Sequence, residues 1–298
     1  MSRRIVPLLF ALAASFVSAI ASAQEAGPAE NAADDVVIER GIAYLPEGRT
    51  EKADLYLPKG RGPAVRSPAV VIIHGGGWRG GQRDAVRELN IGTTLARHGY
   101  VGLSIDYLLS TKEKPSWPQN IHDCKTAVRW LRANADRLQI EADHIGAIGG
   151  SAGGHLTALL AASGNVPELN PAGPYAQYSC AIQAAVPMYG VAEIGDSEYA
   201  AQMLGKTRTE APELYRFASP ATHVDARDPP FLILHGTADA AVPVEQSEIL
   251  ARTLKQAGVE HELIVIEGAP HSFHLQPKER DLRPAVLGFF DKHLKPKR

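Results

Sequence analysis

The chain has 298 residues, 45% of them hydrophobic and 21% charged, which suits one large globular domain or two small ones with a sizeable buried core. Its formal net charge is -2 and it carries no long run of like charge, so no nucleic-acid partner is expected.

Arg3 and Arg4 precede an apolar run from Ile5 to Ile20, and Ala21-Ser22-Ala23 follows with the small residues of a cleavage point. This is the layout of a secretory signal peptide over residues 1–23, cut after Ala23. The run is shorter than the roughly 20 apolar residues of a membrane span, and no Cys adjoins the cut to carry a lipid. No stable membrane insertion is therefore expected once the signal is removed. The mature chain is expected in the periplasm or outside the cell, where disulfides are permitted. The two cysteines, Cys124 and Cys180, fall at opposite edges of the expected sheet. That placement argues against a bridge, which needs Cα atoms within about 7 Å.

Residues 24–35 are polar and Ala-rich and read as a mobile leader. From residue 36 to 298 a single domain is expected. Val36–Ala43 and Lys52–Leu57 read as strands joined by the turn-prone Pro46-Glu47-Gly48, forming an antiparallel hairpin at one edge. Pro68–His74 reads as a buried strand, followed by a helix ending near His98-Gly99 and a strand at Tyr100–Asp106. Asn120–Leu138 has its apolar residues at helical spacing. A short strand, His144–Gly149, runs into Ser151-Ala152-Gly153-Gly154 and an Ala/Leu-rich helix. Further strands are expected at Ala181–Met188, Phe231–His235 and Glu262–Glu267. A helix from Val244 to Ala257 is stopped by Gly258, and Leu282–Leu294 forms a closing helix that tolerates Pro284 in its first turn. Such alternation implies an α/β fold: a mostly parallel central sheet with helices on both faces. The stretch 189–230 breaks the rhythm and is too long for an ordinary connection. It reads as a small cap, or alternatively as a peripheral excursion.

Gly149-Gly150-Ser151-Ala152-Gly153 matches G-x-S-x-G in the context that motif requires, a sharp strand-to-helix turn that lifts the Ser hydroxyl above the sheet edge. Ser151 is the candidate nucleophile. His74-Gly75-Gly76-Gly77-Trp78 follows a buried strand and can turn its amides inward, so Gly76, Gly77 and Ala152 are the candidate oxyanion-hole donors. His74 reads as a loop anchor. These runs, with "DCKTAVRWL" at 123–131, "IGAIGGSAGGHL" at 145–156, "HGTADAAVP" at 235–243 and "GAPHSF" at 268–273, resemble α/β-hydrolase esterases. The resemblance is to the hormone-sensitive-lipase group, and more closely to secreted acetylxylan- and feruloyl-esterase-like (BD-FAE-like) proteins. It runs from about Ala53 to the C-terminus and departs at Leu108, where relatives often carry Arg after the Tyr.

The Ser, Asp, His order of that fold assigns Asp239, just beyond its strand, as the acid and His271 as the base. His274, three residues on, competes for the second role, whereas Asp225 and Asp228 precede their strand at the wrong edge. In the mechanism these imply, Ser151 attacks a carbonyl, His271 relays its proton, Asp239 orients the imidazole, and an acyl-enzyme is hydrolysed by water. No cofactor is needed, and His271 with His274 lacks a third partner for zinc. Trp78, Tyr107 and Tyr189 stand at expected pocket positions and suit a sugar or phenolic ester carrying a short acyl group. The expected partner is thus a small-molecule or polysaccharide ester. Kynurenine-formamidase-like amidases share an HGGxW loop, but the signal peptide argues against a cytosolic role. Serine peptidases share the Asp and His surroundings, but no propeller or large N-terminal domain is seen. A non-catalytic binding protein on this fold is expected to have lost one of the three residues.

Overall fold

The computed structural model describes residues 35–295 except 61, 63 and 64. The expected signal segment, and all of the leader but Asp35, lie outside the described residues. Strands β1 (Val36–Ile42) and β2 (Ala53–Pro58) pair antiparallel at one edge, as the hairpin reading expects. β3 (Ser67–Ile73) is buried along its whole length and leads through α1 (Val86–Arg97) to β4 (Val101–Ile105). α2 (Gln119–Ala133) and the short α3 (Ala135–Leu138) precede β5 (Ile140–Gly150), which runs into α4 (Ala152–Ala162). After β6 (Ala184–Met188) come α5 (Glu198–Leu204) and α6 (Pro212–Phe217), the helices of the cap-like segment. β7 (Phe231–Ala238), α7 (Glu245–Ala257), β8 (His261–Pro270) and α8 (Arg283–Leu294) complete the chain.

The eight strands lie in the order β1-β2-β4-β3-β5-β6-β7-β8, and all pairings from β4 to β8 are parallel. Alternation along β3 divides the core between the two faces. Val70 and Ile72 pack with Ile91 and Leu95 of α1 and Phe290 and Leu294 of α8. Val71 and Ile73 pack with Val128 and Leu131 of α2 and Leu156 and Leu159 of α4. Because β3 lies between β4 and β5, the crossover after β3 runs to one side, to β4, and the crossover after β5 runs to the other, to β6. That reversal opens a crevice at the C-terminal ends of β3 and β5, where ligands bind in open α/β sheets.

Two elements depart from the sequence reading for identifiable reasons. The helix expected to run unbroken to Leu138 stops at Ala133, where Asn134 leaves the helical conformation (φ -104°, ψ 13°) and both its N–H and its side-chain amide donate to the Trp130 carbonyl (3.0 and 2.9 Å). β6 begins at Ala184 rather than Ala181, since Arg132 draws the carbonyls of Ser179 and Ala181 to its guanidinium (2.7 and 2.8 Å). Cys180 therefore lies further ahead of the strand than the sequence reading expects. Cys124 and Cys180 are both free and buried. No helix among the described residues is long and apolar enough to cross a membrane.

The departure at Leu108 has a structural counterpart. Its amide donates to the buried Asp123 carboxylate (2.8 Å), which also accepts from Gln119 Nε2 (2.8 Å). The guanidinium on that carboxylate comes from Arg49, in the β1–β2 link, through a fork at 3.0 and 2.7 Å. Asp123 thus ties the edge hairpin, the loop after β4 and α2 together. Arg49→Met leaves a buried carboxylate short of its counter-charge and should lower stability by about 3 kcal/mol, measured by urea unfolding. A loss under about 0.5 kcal/mol would mean that Gln119 and the Leu108 amide satisfy Asp123 unaided.

Candidate active site

Ser151 stands between β5 and α4 with φ 59° and ψ -120°, a conformation that costs a side-chain-bearing residue about 1–3 kcal/mol. Its amide donates to the Met188 carbonyl (2.9 Å), which pins the turn to the end of β6. The first amides of α4 have no carbonyl one turn back and point out of the helix start. The structure thus places Ala152 where an anion at Ser151 would meet an N–H and the positive end of the helix.

Asp239 immediately follows β7, which extends to Ala238, and His271 immediately follows β8. The His271 ring reaches between them, with Nε2 2.9 Å from Ser151 Oγ and Nδ1 2.6 Å from Asp239 Oδ2. The other carboxylate oxygen of Asp239 accepts from the amides of Ala241 (2.9 Å) and Val242 (2.8 Å). His235 Nε2 approaches Oδ2 at 3.3 Å, while its Nδ1 lies 2.6 Å from Ser247 Oγ. Burial opposes ionisation of Asp239, but the hydrogen bonds from His235, His271 and the Val242 amide outweigh it. They hold the carboxyl well below its ordinary range. An ionised Asp239 accepts a hydrogen bond from the Nδ1–H of His271, so Nε2 is left to accept from the Ser151 hydroxyl. His274 stands outside this array: its Nδ1 accepts from the Gln276 amide (2.9 Å). Asp225 pairs instead with Arg227, ahead of β7.

The glycine loop after β3 faces the same turn, because parallel pairing sets Ile73 opposite Gly149. Gly76, at φ 111°, accepts from the amides of Arg79 (3.2 Å) and Gly80 (3.0 Å), and a Cβ there would lie 2.2 Å from the Gly80 oxygen. Among the described residues no hydrogen bond takes the amides of Gly76 or Gly77. Trp78 holds the loop at three places. Its carbonyl accepts from Ser110 N (2.9 Å) and Oγ (3.1 Å), and its indole N–H donates to His155 Nδ1 (3.1 Å). His155, on α4, gives its Nε2 proton to the Ala218 carbonyl beyond α6 (2.8 Å), and burial pushes its pKa down to about 4. The ring is therefore neutral, as acceptance from Trp78 requires. His74 anchors the loop as expected, with Nδ1 2.7 Å from the Gly75 carbonyl and its ring stacked on Tyr107 at 4.3 Å.

A cavity of about 210 Å³ lies next to Ala241 and Val242, whose amides hold Asp239; Ser151, Asp239 and His271 are not among its lining. Trp78, Val191, Ile194, Val242 and Pro243 form apolar walls, and Glu193 and Asp196 add carboxylates without a basic residue among the lining. Trp78 lines this cavity, whereas Tyr107 and Tyr189 do not. Tyr107 is buried and spends its hydroxyl on the His74 carbonyl (3.0 Å). Tyr189 is also buried, its hydroxyl donated to the Phe273 carbonyl (2.7 Å) and its ring edge-on to His271. Both rings are committed to packing, which corrects their assignment as substrate contacts. Tyr199, which the sequence reading missed, is 45% exposed and lies so close over Gly77 that a Cβ there would meet its ring at 2.4 Å. A helix as short as α5 carries too little periodicity to mark an outward ring. Only the Ser197 N-cap, which accepts from the Ala200 amide (3.1 Å), was there to orient it.

The BD-FAE family model matches residues 53–254. Esterase LipQ of Mycobacterium tuberculosis is 33% identical over 261 residues, covering 83% of this chain and 61% of that protein. The chain thus spans about three fifths of the length of such curated relatives. Among solved structures, a truncated carbohydrate esterase from gut microbiota superposes with a TM-score of 0.79 at 28% identity, over 90% of this chain and 99% of that one. Thermogutta terrifontis esterase 2 phosphoramylated by tabun gives a TM-score of 0.72 at 28% identity, over 88% and 97%.

A fluorophosphonate probe should label Ser151 and leave Ser151→Ala untouched. His271→Ala should slow labelling by about a hundredfold or more, whereas His274→Ala should slow it less than about tenfold. Peptide mapping and labelling rates read both, and a reversed order for the two histidines would transfer the base role to His274.

Proposed function

The chain belongs to the BD-FAE family of α/β-hydrolases, and from that starting point we propose that it is a serine carboxylic-ester hydrolase acting on short-acyl esters. The observation that carries this reading is the Ser151–His271–Asp239 array, joined at 2.9 and 2.6 Å, beside a glycine loop in which a Cβ on Gly75 would lie 3.2 Å from Ser151 Cβ. Ser151 Oγ attacks the ester carbonyl carbon as its proton passes to His271 Nε2. Negative charge moves to the carbonyl oxygen, where the Gly76, Gly77 and Ala152 amides receive it. Such a donor is worth about a hundred- to a thousandfold in rate. The imidazolium, steadied by Asp239, returns the proton to the leaving alkoxide as the carbon–oxygen bond breaks. Water, activated by the same imidazole, then attacks the acyl-enzyme and restores Ser151.

The substrate is inferred from the walls of the cavity. A cavity of about 210 Å³ beside the Asp239 turn suits a small group better than a long acyl tail. Glu193 and Asp196 favour neutral over anionic substrates, and Tyr199, 45% exposed with Arg79 over one face of its ring, offers its remaining surface to a sugar or phenolic ring. The likeness to a gut carbohydrate esterase points the same way. With the signal-like N-terminus, these features support an exported enzyme that removes acetyl or feruloyl groups from polysaccharide.

Efficiency on p-nitrophenyl esters should peak at about two to four acyl carbons and fall steeply by dodecanoate. A maximum at long chains, or activation at a triglyceride interface, would overturn the short-acyl reading. Tyr199→Ala should raise KM for acetylated xylo-oligosaccharides by about tenfold, with kcat/KM on p-nitrophenyl acetate within about twofold of the parent. Equal loss on both substrates would assign Tyr199 to the loop rather than to the sugar.

A further inference from the structure

A buried group of side chains that takes no part in the hydrolytic scheme packs against the nucleophile turn. Arg87, on the first turn of α1, has a side chain only 15% exposed. Its Nε and Nη2 both donate to Glu88 Oε1 (2.8 and 2.5 Å), and Nη1 donates to the Tyr189 hydroxyl (3.1 Å). That hydroxyl in turn donates to the Phe273 carbonyl (2.7 Å), two residues past His271. The Tyr189 ring stands edge-on to His271, with centroids 4.9 Å apart, and edge-on to Phe273 at 4.5 Å. A Cβ on Gly150 would lie 2.6 Å from the Tyr189 hydroxyl and 2.9 Å from Arg87 Nη1, and one on Gly75 would lie 3.3 Å from Arg87 Nη2. The guanidinium thus fits against the residues before the nucleophile and before the oxyanion loop. The ends of β3, β5, β6 and β8 meet around it.

We propose that Arg87 is a positioning residue that, through the Tyr189 hydroxyl, locks the 271–273 loop and holds the His271 imidazole in line with Ser151. This rests on reading His271 as the base. Two hydrogen bonds, to Ser151 and Asp239, define an axis through the imidazole but leave its tilt about that axis free. The Tyr189 ring edge removes that freedom. Ser272, next to His271, sits at φ 67°, so the loop holds a turn unfavourable to a side-chain-bearing residue and needs an external tie. The Tyr189–Phe273 bond is that tie. Tyr189 itself has φ 37° and is held by its amide on the Leu234 carbonyl (2.6 Å). A guanidinium suits the position because its fixed fork serves Glu88 and Tyr189 together, which an ammonium cannot do in one geometry. Glu88, 1% exposed, supplies the counter-charge that allows Arg87 to remain buried.

Tyr189→Phe keeps the ring and removes both hydrogen bonds of the hydroxyl. A misplacement on the order of 1 Å costs up to about a hundredfold. A loosened tilt should therefore lower kcat on p-nitrophenyl acetate by about tenfold, with KM within about twofold. Phosphonylation of Ser151 should slow by the same factor, because it uses the base and makes little use of the pocket. Arg87→Met should match this loss and Arg87→Lys should recover part of it, with circular dichroism and thermal melting confirming that each variant is folded. The proposal is overturned if Tyr189→Phe and Arg87→Met keep kcat and phosphonylation within twofold of the parent, or if only KM changes. Should Tyr189→Phe fail to fold, the Arg87→Lys and Arg87→Met pair decides on the same readouts. Absence of Ser151 labelling in the parent protein would instead sink the hydrolase reading.

Discussion

Gly153 approaches the end of β3 so closely that a Cβ on it would lie 2.0 Å from the Ile73 carbonyl oxygen and 2.5 Å from that of His74. That contact sets the distance between the helix behind Ser151 and the strand that launches the glycine loop. With Ile73 opposite Gly149 in the parallel ladder, the nucleophile turn and the oxyanion loop start from neighbouring positions on one edge. Any residue larger than glycine would drive α4 away from β3 and carry the Ala152 amide away from Gly76 and Gly77. The site is assembled by backbone packing first, and the reacting side chains are mounted on that frame.

The cap is fastened to the frame from several directions. His155 carries a continuous hydrogen-bonded line from Trp78 in the oxyanion loop to the Ala218 carbonyl. Arg79 lies over the Tyr199 ring at 3.7 Å, within 3.6 Å of Glu198 and 3.4 Å of Gln202, so the oxyanion loop and α5 share one cluster. Gln246 of α7 accepts from the amides of Ala192 and Glu193, both at 2.9 Å, where the chain leaves β6 for the cap. Of these lines, the one through His155 is buried, where an unmade partner is costly.

Ser151, Asp239 and His271 are legible in the sequence because each directly follows a strand. A strand end in a parallel sheet fixes position without knowledge of side-chain packing. The central strands β3, β4 and β6 are legible for the related reason that burial on both faces makes them apolar runs. What escapes the sequence depends on partners far along the chain. Arg49 reaches Asp123 across 74 positions and Arg87 reaches Tyr189 across 102, and neither local composition nor period marks them as charges destined for the interior. Tyr189 misled for another reason. It follows a strand end as a pocket residue would, but its backbone at φ 37° turns the ring inward beneath His271. The late start of β6 likewise comes from a single side chain, Arg132, capturing carbonyls that a longer strand would have used.

The line from Trp78 through His155 to Ala218 bears on how such a protein diversifies. In a hydrolase whose cap is a separate lid, cap residues can drift to suit a new alcohol while the reacting centre keeps its geometry. Here the Ala218 carbonyl fixes the tautomer of the imidazole that holds Trp78. A cap exchanged between relatives therefore brings its own setting of the oxyanion loop. Selectivity and turnover are mechanically linked traits in this architecture. The surfaces left free to vary without that linkage are those around Glu193 and Asp196, which line the cavity from exposed positions on the cap.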